Sequence, residues 1–315
     1  MTPDLAIDIG LAVLVLGVAA WTTVVRESFA AVVGFVTYGL LLALAWVRLH
    51  AVDVALTEAA IGGGVTGALL LAAAARLGPA EDRTPGDRPG AAPRLLAAVL
   101  CALVSAGLGA IVLLPPDPAP TLAPAAVASL PKTGLGNPVT AVLLAYRAWD
   151  TFLEKAVLVL ALLGVWSLAP DALWGGRPGP AYRAQRDGAL ALLARVLPPA
   201  GIVMGVYMLW TGADEPGGAF PAGTILAAMW ILVMRAGLAD APAVGRRSLR
   251  VALVAGAVVF LAVGLSGLAT AGAFLAYPVR FAKPLIVLIE APLTFSIAVT
   301  LGLLAAGPPE RGLPR

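Results

Sequence analysis

Six ionisable side chains lie inside or at the rims of long apolar runs of this sequence: Glu58, Asp150, Glu154, Lys155, Lys283 and Glu290. A charge at the centre of a bilayer costs about 2.5–3.5 kcal/mol on insertion scales. Such residues usually face a bundle interior, pair with one another and mark a path for ions or protons. Ion or proton movement is therefore the chemistry that these residues indicate.

The first of these residues, Glu58, lies in the segment DVALTEAAIGGG, residues 53–64. Asp53 is placed to cap the start of a helix. Gly62, Gly63 and Gly64 follow Glu58 by about one turn, and they favour close helix packing or a local π-helical irregularity. We expect protonation of Glu58 to be coupled to helix geometry here; the alternative is a structural acid beside a packing surface.

The segment AYRAWDTFLEKAV, residues 145–157, places Asp150 and Glu154 four residues apart, and hence on one helix face. Lys155 follows about 100° around the helix. Two carboxylates on one face raise each other's proton affinity, and a nearby ammonium opposes that effect. The spacing predicts a set that holds one exchangeable proton or cation. The alternative is an interfacial ring of paired charges.

Two further acidic segments lie in the C-terminal part of the chain. In GADEPGGAFPAG, residues 212–223, glycines permit unusual backbone shapes, and Asp214 and Glu215 could collect cations at an outer mouth. An ordinary tight turn is the alternative. Glu290 precedes Pro292, which we expect to kink the helix. Glu290 is either a relay point or a structural acid bonded to a neighbouring helix.

The elements that must position these residues are membrane helices. Of 315 residues, 60% are hydrophobic and 12% charged, whereas soluble domains carry about 25% charged residues. We therefore predict an all-α, polytopic integral membrane protein. Run lengths predict about nine spans, near 5–25, 28–47, 54–76, 94–114, 151–169, 189–211, 217–237, 249–271 and 284–306.

Loop composition predicts the orientation of these spans. Basic residues concentrate in alternate connections, around residues 76–94, 177–186 and 235–250 and at the C-terminus. This pattern predicts an outer N-terminus and a cytoplasmic C-terminus. Proline- and glycine-rich linkers occupy residues 78–93, 115–137 and 170–188, and we expect residues 115–137 to form an extended outer segment.

Composition also excludes several classes of function. The single cysteine, Cys101, which we expect to be a buried hydrophobe, and the single histidine, His50, rule out a multi-cysteine cluster and a His-rich metal site. We therefore predict no metal and no cofactor. The sequence has no basic stripe with interleaved aromatic residues, so we do not expect nucleic-acid binding. No catalytic or nucleotide-binding motif is present, so we do not expect an enzyme.

Three segments resemble components of one superfamily. YGLLLALAWVRLHAVDVALTEAAIGGG, residues 38–64, resembles the small membrane component, or fused C-terminal part, of Mrp-type multisubunit sodium/proton antiporters and membrane-bound hydrogenases. YRAWDTFLEKAVLVLALLGVWSL, residues 146–168, resembles the module that follows, and the pair is similar to the J component of respiratory complex I. GADEPGGAFPAGTILAA, residues 212–228, resembles the MnhB family of Mrp antiporters.

The resemblance implies a three-module chain. Residues 1–93 would form a three-helix module like the D component of membrane-bound hydrogenases, 94–188 a two-helix module like their E component, and 189–315 a four-helix MnhB-like module. It points to Glu58, Asp150, Glu154 and residues 216–220, and to a π-bulge near Gly62–Gly64. The chain departs from the family pattern, however, at the positions Phe152, Leu153, Lys155, Ala213, Ala219, Pro221 and Ala222.

The resemblance further implies a function. The chain would be a non-catalytic subunit in a bacterial or archaeal cell membrane. It would line part of a sodium or proton pathway and dock antiporter-like subunits. Two alternatives stay open: a membrane-arm subunit of a redox-driven pump related to hydrogenase or complex I, and a structural adaptor whose buried charges are paired for assembly.

Overall fold

The structure, a computed structural model, describes residues 3–77, 90–116, 118, 120–183 and 188–312, with the side chains of residues 76 and 77 excluded. Within these ranges the chain is helical apart from two short paired strands and the connections. The α-helices are α1 Pro3–Val24, α2 Ser28–Arg48, α3 Val52–Thr57, α4 Thr66–Leu77, α5 Ala91–Leu113, α6 Ala123–Ser129, α7 Pro138–Ala141, α8 Ala148–Trp166, α9 Ala189–Thr211, α10 Ala219–Arg235, α11 Arg247–Thr270 and α12 Ala282–Ala306.

Shorter elements complete the described chain. Two are π-helical, Glu58–Val65 between α3 and α4, and Val142–Tyr146 between α7 and α8. Single 3₁₀ turns cover Leu130–Thr133, Asp171–Leu173 and Val279–Phe281. Strands β1, Arg177–Pro178, and β2, Pro309–Arg311, pair antiparallel.

The helices confirm an all-α, multi-pass membrane protein. Among the described residues, seven helical segments are long and apolar enough to cross a bilayer, the third of them running through α3, the π-helix and α4. The two remaining predicted spans are α8, which has 19 residues and three charged groups, and α10, which has 17. All nine predicted runs are therefore helical, and nine crossings with an outer N-terminus stay a prediction.

The N-terminal part is a hairpin of α1 and α2 followed by the broken third span. The predicted irregularity at Gly62–Gly64 is confirmed, because the π-helix covers these glycines. Gly39 of α2 faces the π-helix so closely that a Cβ on Gly39 would lie 3.0 Å from the Gly63 nitrogen. Small residues thus let the two backbones touch, as is typical of membrane helix pairs.

The C-terminal part surrounds α12. Helices α8, α10 and α11 all pack on α12, and 67% of its most apolar stretch is buried inside the chain. Ile286, Ile289, Leu293 and Ile297 of α12 form the centre of the core together with Phe260 of α11. Helix α12 runs through Pro292 without ending. This buried helix carries Glu290 into the interior.

Polar contacts gather at the two ends of the bundle. At one end Arg48 pairs with Asp8, and Lys283 pairs with Asp214. At the other end Asp240 bridges Arg177 of β1 and Arg311 of β2, at 3.1 and 2.8 Å. Helix α12 has 25 residues and is therefore about 37 Å long. It separates the Lys283–Asp214 pair from the contacts of Asp240. This separation fits the predicted alternation of outer and inner loops.

Four sequence expectations are corrected or lie outside the described residues. Residues 115–137 are not uniformly extended, because α6 and a 3₁₀ turn form within them. Cys101 is exposed rather than buried, because α5 buries none of its residues in the chain. Residue Ala51, not Asp53, occupies the N-cap of α3. Most of the charged loop at 78–93 lies outside the described part.

Candidate functional site

The candidate site is a cavity of about 430 Å³ where the three parts of the chain meet; we call it the acidic cavity. Its walls come from α3 and the first π-helix, from α7 and the second π-helix, and from α8, α10 and α12. Its polar lining residues are Asp53, Thr57, Thr140, Thr151, Glu154 and Glu290, and Phe220 and Leu293 are among its apolar ones.

Glu290 is the most buried acid of the cavity. Its side chain lies on α12 and the residue is only 2% exposed. Its carboxylate accepts a hydrogen bond from the backbone N–H of Ala219, at the first turn of α10, where the helix dipole favours negative charge. The second oxygen, Oε2, has no hydrogen-bond partner among the described residues. A buried carboxylate oxygen without a partner is costly, which makes Glu290 the strongest functional candidate.

Gly218 allows this contact with α10. It has φ +94, a backbone conformation that residues with a side chain rarely adopt. A Cβ on Gly218 would also lie 3.1 Å from Oε1 of Glu290. The Pro-Gly-Gly run at 216–218 therefore turns the chain so that the first N–H groups of α10 point at the carboxylate. Sequence analysis singled out both this run and Glu290 but did not connect them.

Asp53 and Asn137 hold the turn in place. The Asp53 Oδ1 atom accepts hydrogen bonds from the backbone N–H of Gly217, at 3.0 Å, and from Asn137 Nδ2, at 3.2 Å. The same Asn137 amide donates to the carbonyl of Glu215, at 3.0 Å, and lies 3.4 Å from that of Gly212. Asn137 is 3% exposed, so it joins α3, α7 and the turn before α10 within the interior.

Asn137 is a site residue that sequence reasoning missed. Its Oδ1 also accepts from the Val139 N–H, at 2.8 Å, so it is the N-cap of α7, with Pro138 at the first helical position. An Asn-Pro pair is a recognisable helix-start signal. That signal predicts the cap but not the contacts with Asp53 and the distant turn.

Glu154 lines two cavities. It faces the acidic cavity, and together with Asp150 and Phe220 it also lines a second, open cavity of about 450 Å³, which we call the rim cavity. Asp150 pairs with Arg147. The structure therefore keeps Asp150 and Glu154 together, as their spacing predicts, and places Glu154 and Phe220 at the boundary between the two cavities.

Lys155 points away from both carboxylates. It is fully buried, and its Nζ donates to the Ser296 carbonyl, at 3.0 Å, and to Thr300 Oγ1, at 2.7 Å, both on α12. The expected single set of Asp150, Glu154 and Lys155 is thus divided, because the rotation of about 100° between successive residues turns Lys155 toward α12.

Glu58 also lies outside the acidic cavity's lining. It begins the first π-helix and is half-buried, and its carboxylate lies against Gly39 and Gly62. A side chain at Gly62 would collide with that carboxylate. Thr57 and Ile61 of the same segment line the cavity, so Glu58 is a neighbour of the cavity on the far side of the helix.

Asp214 forms an ion pair with Lys283, which we call the latch, and is therefore not a free carboxylate at an outer mouth. Lys283 Nζ lies 2.7 and 2.6 Å from its two oxygens, and the Gly136 N–H donates to it at 3.1 Å. The hydrogen bond from Lys283 is the main cause that holds the pKa of Asp214 below its ordinary value. Glu215 is exposed beside it and contributes its backbone carbonyl to Asn137.

We expect this latch to weaken in acid. A carboxylate whose pKa is lowered by folding stabilises the fold above its ordinary pKa of 3.8, and that contribution is lost as the pH falls through the lowered value. Because the pair is half-exposed, it is worth at most about 1 kcal/mol. Asp214→Asn should lower the melting temperature at neutral pH, and its difference from the wild type should shrink as the pH falls from 3.8 through the lowered pKa of Asp214. The matched Glu215→Gln variant should have the melting temperature of the wild type. An equal drop in melting temperature in both variants would contradict a stabilising role of the Asp214–Lys283 pair.

Two stretches of the chain match known families. Residues 13–79 match the MbhD family, the D component of MBH, and residues 189–306 match the domain related to the MnhB subunit of Na⁺/H⁺ antiporters. The chain therefore carries an MbhD-like segment and an MnhB-related domain in one polypeptide. Comparison with characterised proteins gave no sequence match.

Two solved structures share its fold. A chain of the Mrp complex from Dietzia sp. DQ12-45-1b is 24% identical, with a TM-score of 0.71, over 97% of this chain and 35% of that one. A chain of the membrane-bound sulfane sulfur reductase, an archaeal respiratory membrane complex, is 25% identical, with a TM-score of 0.52, over 68% of this chain and 97% of that one. The present chain thus spans about a third of the Dietzia chain that it matches.

Two departures from the family motif fall on residues that act through their backbone. Ala213 offers its carbonyl to the N–H groups of Gly136 and Asn137, at 3.0 and 3.1 Å. Ala219 donates its N–H to Glu290. Both contacts are independent of the side chain, so the geometry of the turn tolerates these changes.

Proposed function

We propose that the chain is a non-catalytic membrane subunit of an Mrp-like sodium/proton antiporter complex, in the cell membrane of a bacterium or archaeon. It lines part of the ion or proton pathway and docks antiporter-like subunits. The single observation that carries the pathway role is the buried carboxylate of Glu290, whose Oε2 has no partner among the described residues and which belongs to a residue that lines the acidic cavity. The match of residues 189–306 to the domain related to the MnhB subunit of Na⁺/H⁺ antiporters supports the choice of antiporter.

The proposed pathway enters through the rim cavity. Asp150 lies at its exposed edge, and Glu154 is shared with the acidic cavity, where Glu290 lies deepest. Glu58 and Lys155 belong to the same proposal as charged groups on the surrounding helices. The route needs neither cofactor nor metal, and among the described residues no group of three His, Cys, Asp or Glu side chains could hold a metal ion.

A second function has its own supporting observation. The N-terminal module matches a component of MBH, and one similar structure belongs to a respiratory complex that is named as a sulfane sulfur reductase. The chain would then be a membrane-arm subunit of a redox-driven ion pump. Its cavity would serve the same movement of ions or protons, driven by electron transfer in other subunits.

The experiment that separates the two is purification from the native membrane in mild detergent, with mass spectrometry of the co-eluting proteins. Large antiporter-like subunits without metal centres are the expected result. Co-elution of iron–sulfur or NiFe subunits would contradict the antiporter proposal and support the redox-driven pump. Recovery of the chain alone, at a yield matching its membrane content, would contradict a shared pathway.

Glu58→Gln tests the part of the pathway beside the π-helix. We expect antiport in vesicles to fall about a hundredfold, because the amide keeps the shape of the side chain but cannot carry a proton. The complex should still be recovered at wild-type yield. Antiport is measured as the dissipation of an imposed pH gradient on sodium addition. Retained antiport in Glu58→Gln vesicles would remove Glu58 from the pathway.

A further inference from the structure

We propose that Glu290 binds a proton rather than a metal cation, and that it exchanges this proton with Glu154 through water in the acidic cavity. The inference rests on the proposed function and specifies what its innermost site carries. In the exchange, the O–H bond at the Glu290 carboxyl breaks as water takes the proton, and an O–H bond forms at the Glu154 carboxylate. No electrons are transferred.

The surroundings of Glu290 provide too few ligands for a dehydrated metal cation. Hard cations in proteins take about six or more oxygen ligands. One oxygen of Glu290 already accepts the Ala219 N–H, which leaves Oε2 as its free atom. In the described part of the chain, no three acidic, His or Cys side chains come close enough to share an ion. A single free oxygen suits a proton.

Nearby backbone carbonyls are also occupied. The Met208 carbonyl accepts from the N–H groups of Gly212 and Gly218, at 3.1 and 2.9 Å. The Gly212 carbonyl accepts from Thr140 Oγ1 at 2.6 Å, and the Glu215 carbonyl accepts from Asn137. The turn therefore presents N–H groups to Glu290 while its carbonyls serve the scaffold, which is the opposite of a cation cage.

The cavity is suited to water-mediated proton exchange. Its volume of about 430 Å³ is far above that of one water, which occupies about 30 Å³ in the liquid. The hydroxyls of Thr57, Thr140 and Thr151 all donate to backbone carbonyls, so their oxygens remain acceptors for water. Such fixed acceptors can order waters between two carboxyl groups.

Glu154 is the acid that connects Glu290 to the surface. Among the described acids, it alone lines both the acidic cavity and the rim cavity. Phe220, at the start of α10, lines both cavities as well. Its ring forms an apolar barrier at the boundary between the two cavities. A hydrated cation would have to shed water molecules there, whereas a proton can pass by way of the Glu154 carboxylate.

Few other charged groups face Glu290 from the elements packed around α12. Helix α3 contributes Asp53 to the cavity wall, and α8 contributes Glu154 there and Lys155 deeper along α12. On α12 itself Lys283 is held by Asp214. The charged residues of α10 and α11 are Arg235, Arg247 and Arg250, at the ends of those helices remote from Ala219. Among the described residues, the cavity acids and Lys155 are thus the charged groups placed around Glu290.

Infrared difference spectroscopy of the purified complex tests this directly. The carbonyl band of protonated Glu290 is identified by its loss in Glu290→Gln and its retention in Asp171→Asn, an exposed acid at the opposite end. We expect the band to disappear as pH rises and to be unchanged by saturating sodium at fixed pH. Displacement of the band by sodium, or no assignable band at any pH, would overturn the proton assignment.

The role of Glu154 is tested by deuterium exchange. On transfer to deuterated water, the rate at which the Glu290 band shifts should be about tenfold lower in Glu154→Gln than in the wild type. An unchanged rate would overturn the proton exchange between Glu290 and Glu154. Antiport is measured on the same preparations. A sodium-sensitive band with antiport lost in Glu290→Gln refutes only the proton assignment, whereas full antiport in Glu290→Gln refutes the proposed pathway itself.

Discussion

Lys155→Met is expected to lower antiport by about tenfold or more while the complex is recovered at wild-type yield. In the described part of the chain, the buried amine donates to two neutral oxygens, those of the Ser296 carbonyl and the Thr300 hydroxyl. Ser296 lies six residues beyond Glu290, or about 9 Å along the helix axis. At an effective dielectric constant of about 20, opposite charges at that separation interact by about 2 kcal/mol. The expected loss rests on an interaction of this size between the Lys155 ammonium and the ionised form of Glu290.

Methionine is a suitable replacement because it fills a similar volume without a charge. The substitution leaves no charged partner unpaired, because Lys155 Nζ donates to the Ser296 carbonyl and the Thr300 hydroxyl. A change in antiport at equal complex yield therefore reports function rather than folding. Antiport per recovered complex is the measurement. Reduced yield with normal antiport per complex would instead support the structural adaptor, whose buried charges serve assembly.

Substitution of Asn137 is the second change with a large expected effect. Asn137→Ala removes the amide that joins Asp53 to the carbonyl of Glu215, and each buried group left without a partner costs about 1–3 kcal/mol. The turn at 212–217 should loosen, and the N–H of Ala219 should no longer be held against Glu290. We expect antiport to fall about tenfold or more and the melting temperature to drop by several degrees.

Asn137→Ser separates the two roles of this residue. Serine can still cap α7, but it lacks the amide that reaches Asp53 and the turn. If positioning of the turn matters, antiport should fall by a similar factor in Asn137→Ser and Asn137→Ala. Only Asn137→Ala should also lose the contribution of the N-cap to the free energy of unfolding, about 1 kcal/mol. Wild-type antiport in Asn137→Ser would show that the cap is the important contact and would contradict the positioning role.

Local features of the fold were predictable from the sequence. Long apolar runs predicted the helices, and three consecutive glycines predicted close helix packing or a π-helical irregularity at the place where the π-helix Glu58–Val65 lies. The second π-helix, Val142–Tyr146, carries no glycine and was not predicted. Tertiary hydrogen bonds stabilise it, because Thr151 and Tyr277 donate to the carbonyls of Leu143 and Leu144.

The candidate site was predictable only in part. Periodicity places Glu290 and Glu154 on helix faces but does not reveal which backbone or cavity those faces meet. Asp53 and Gly217 are 164 positions apart in the chain, and Lys155 and Ser296 are 141 apart. Such contacts depend on how the three modules pack, and a single sequence carries no local signal for that packing.

The most direct measurement is cation/proton antiport by the purified complex in proteoliposomes, with the paired variant Glu154→Gln/Glu290→Gln against Asp171→Asn. Both substitutions in the pair keep side-chain shape and remove only the ability to carry a proton or charge. We predict that antiport is lost in the pair and normal in the control, at equal complex yield. Normal antiport in the pair, with both substitutions confirmed, would contradict a pathway through the acidic cavity.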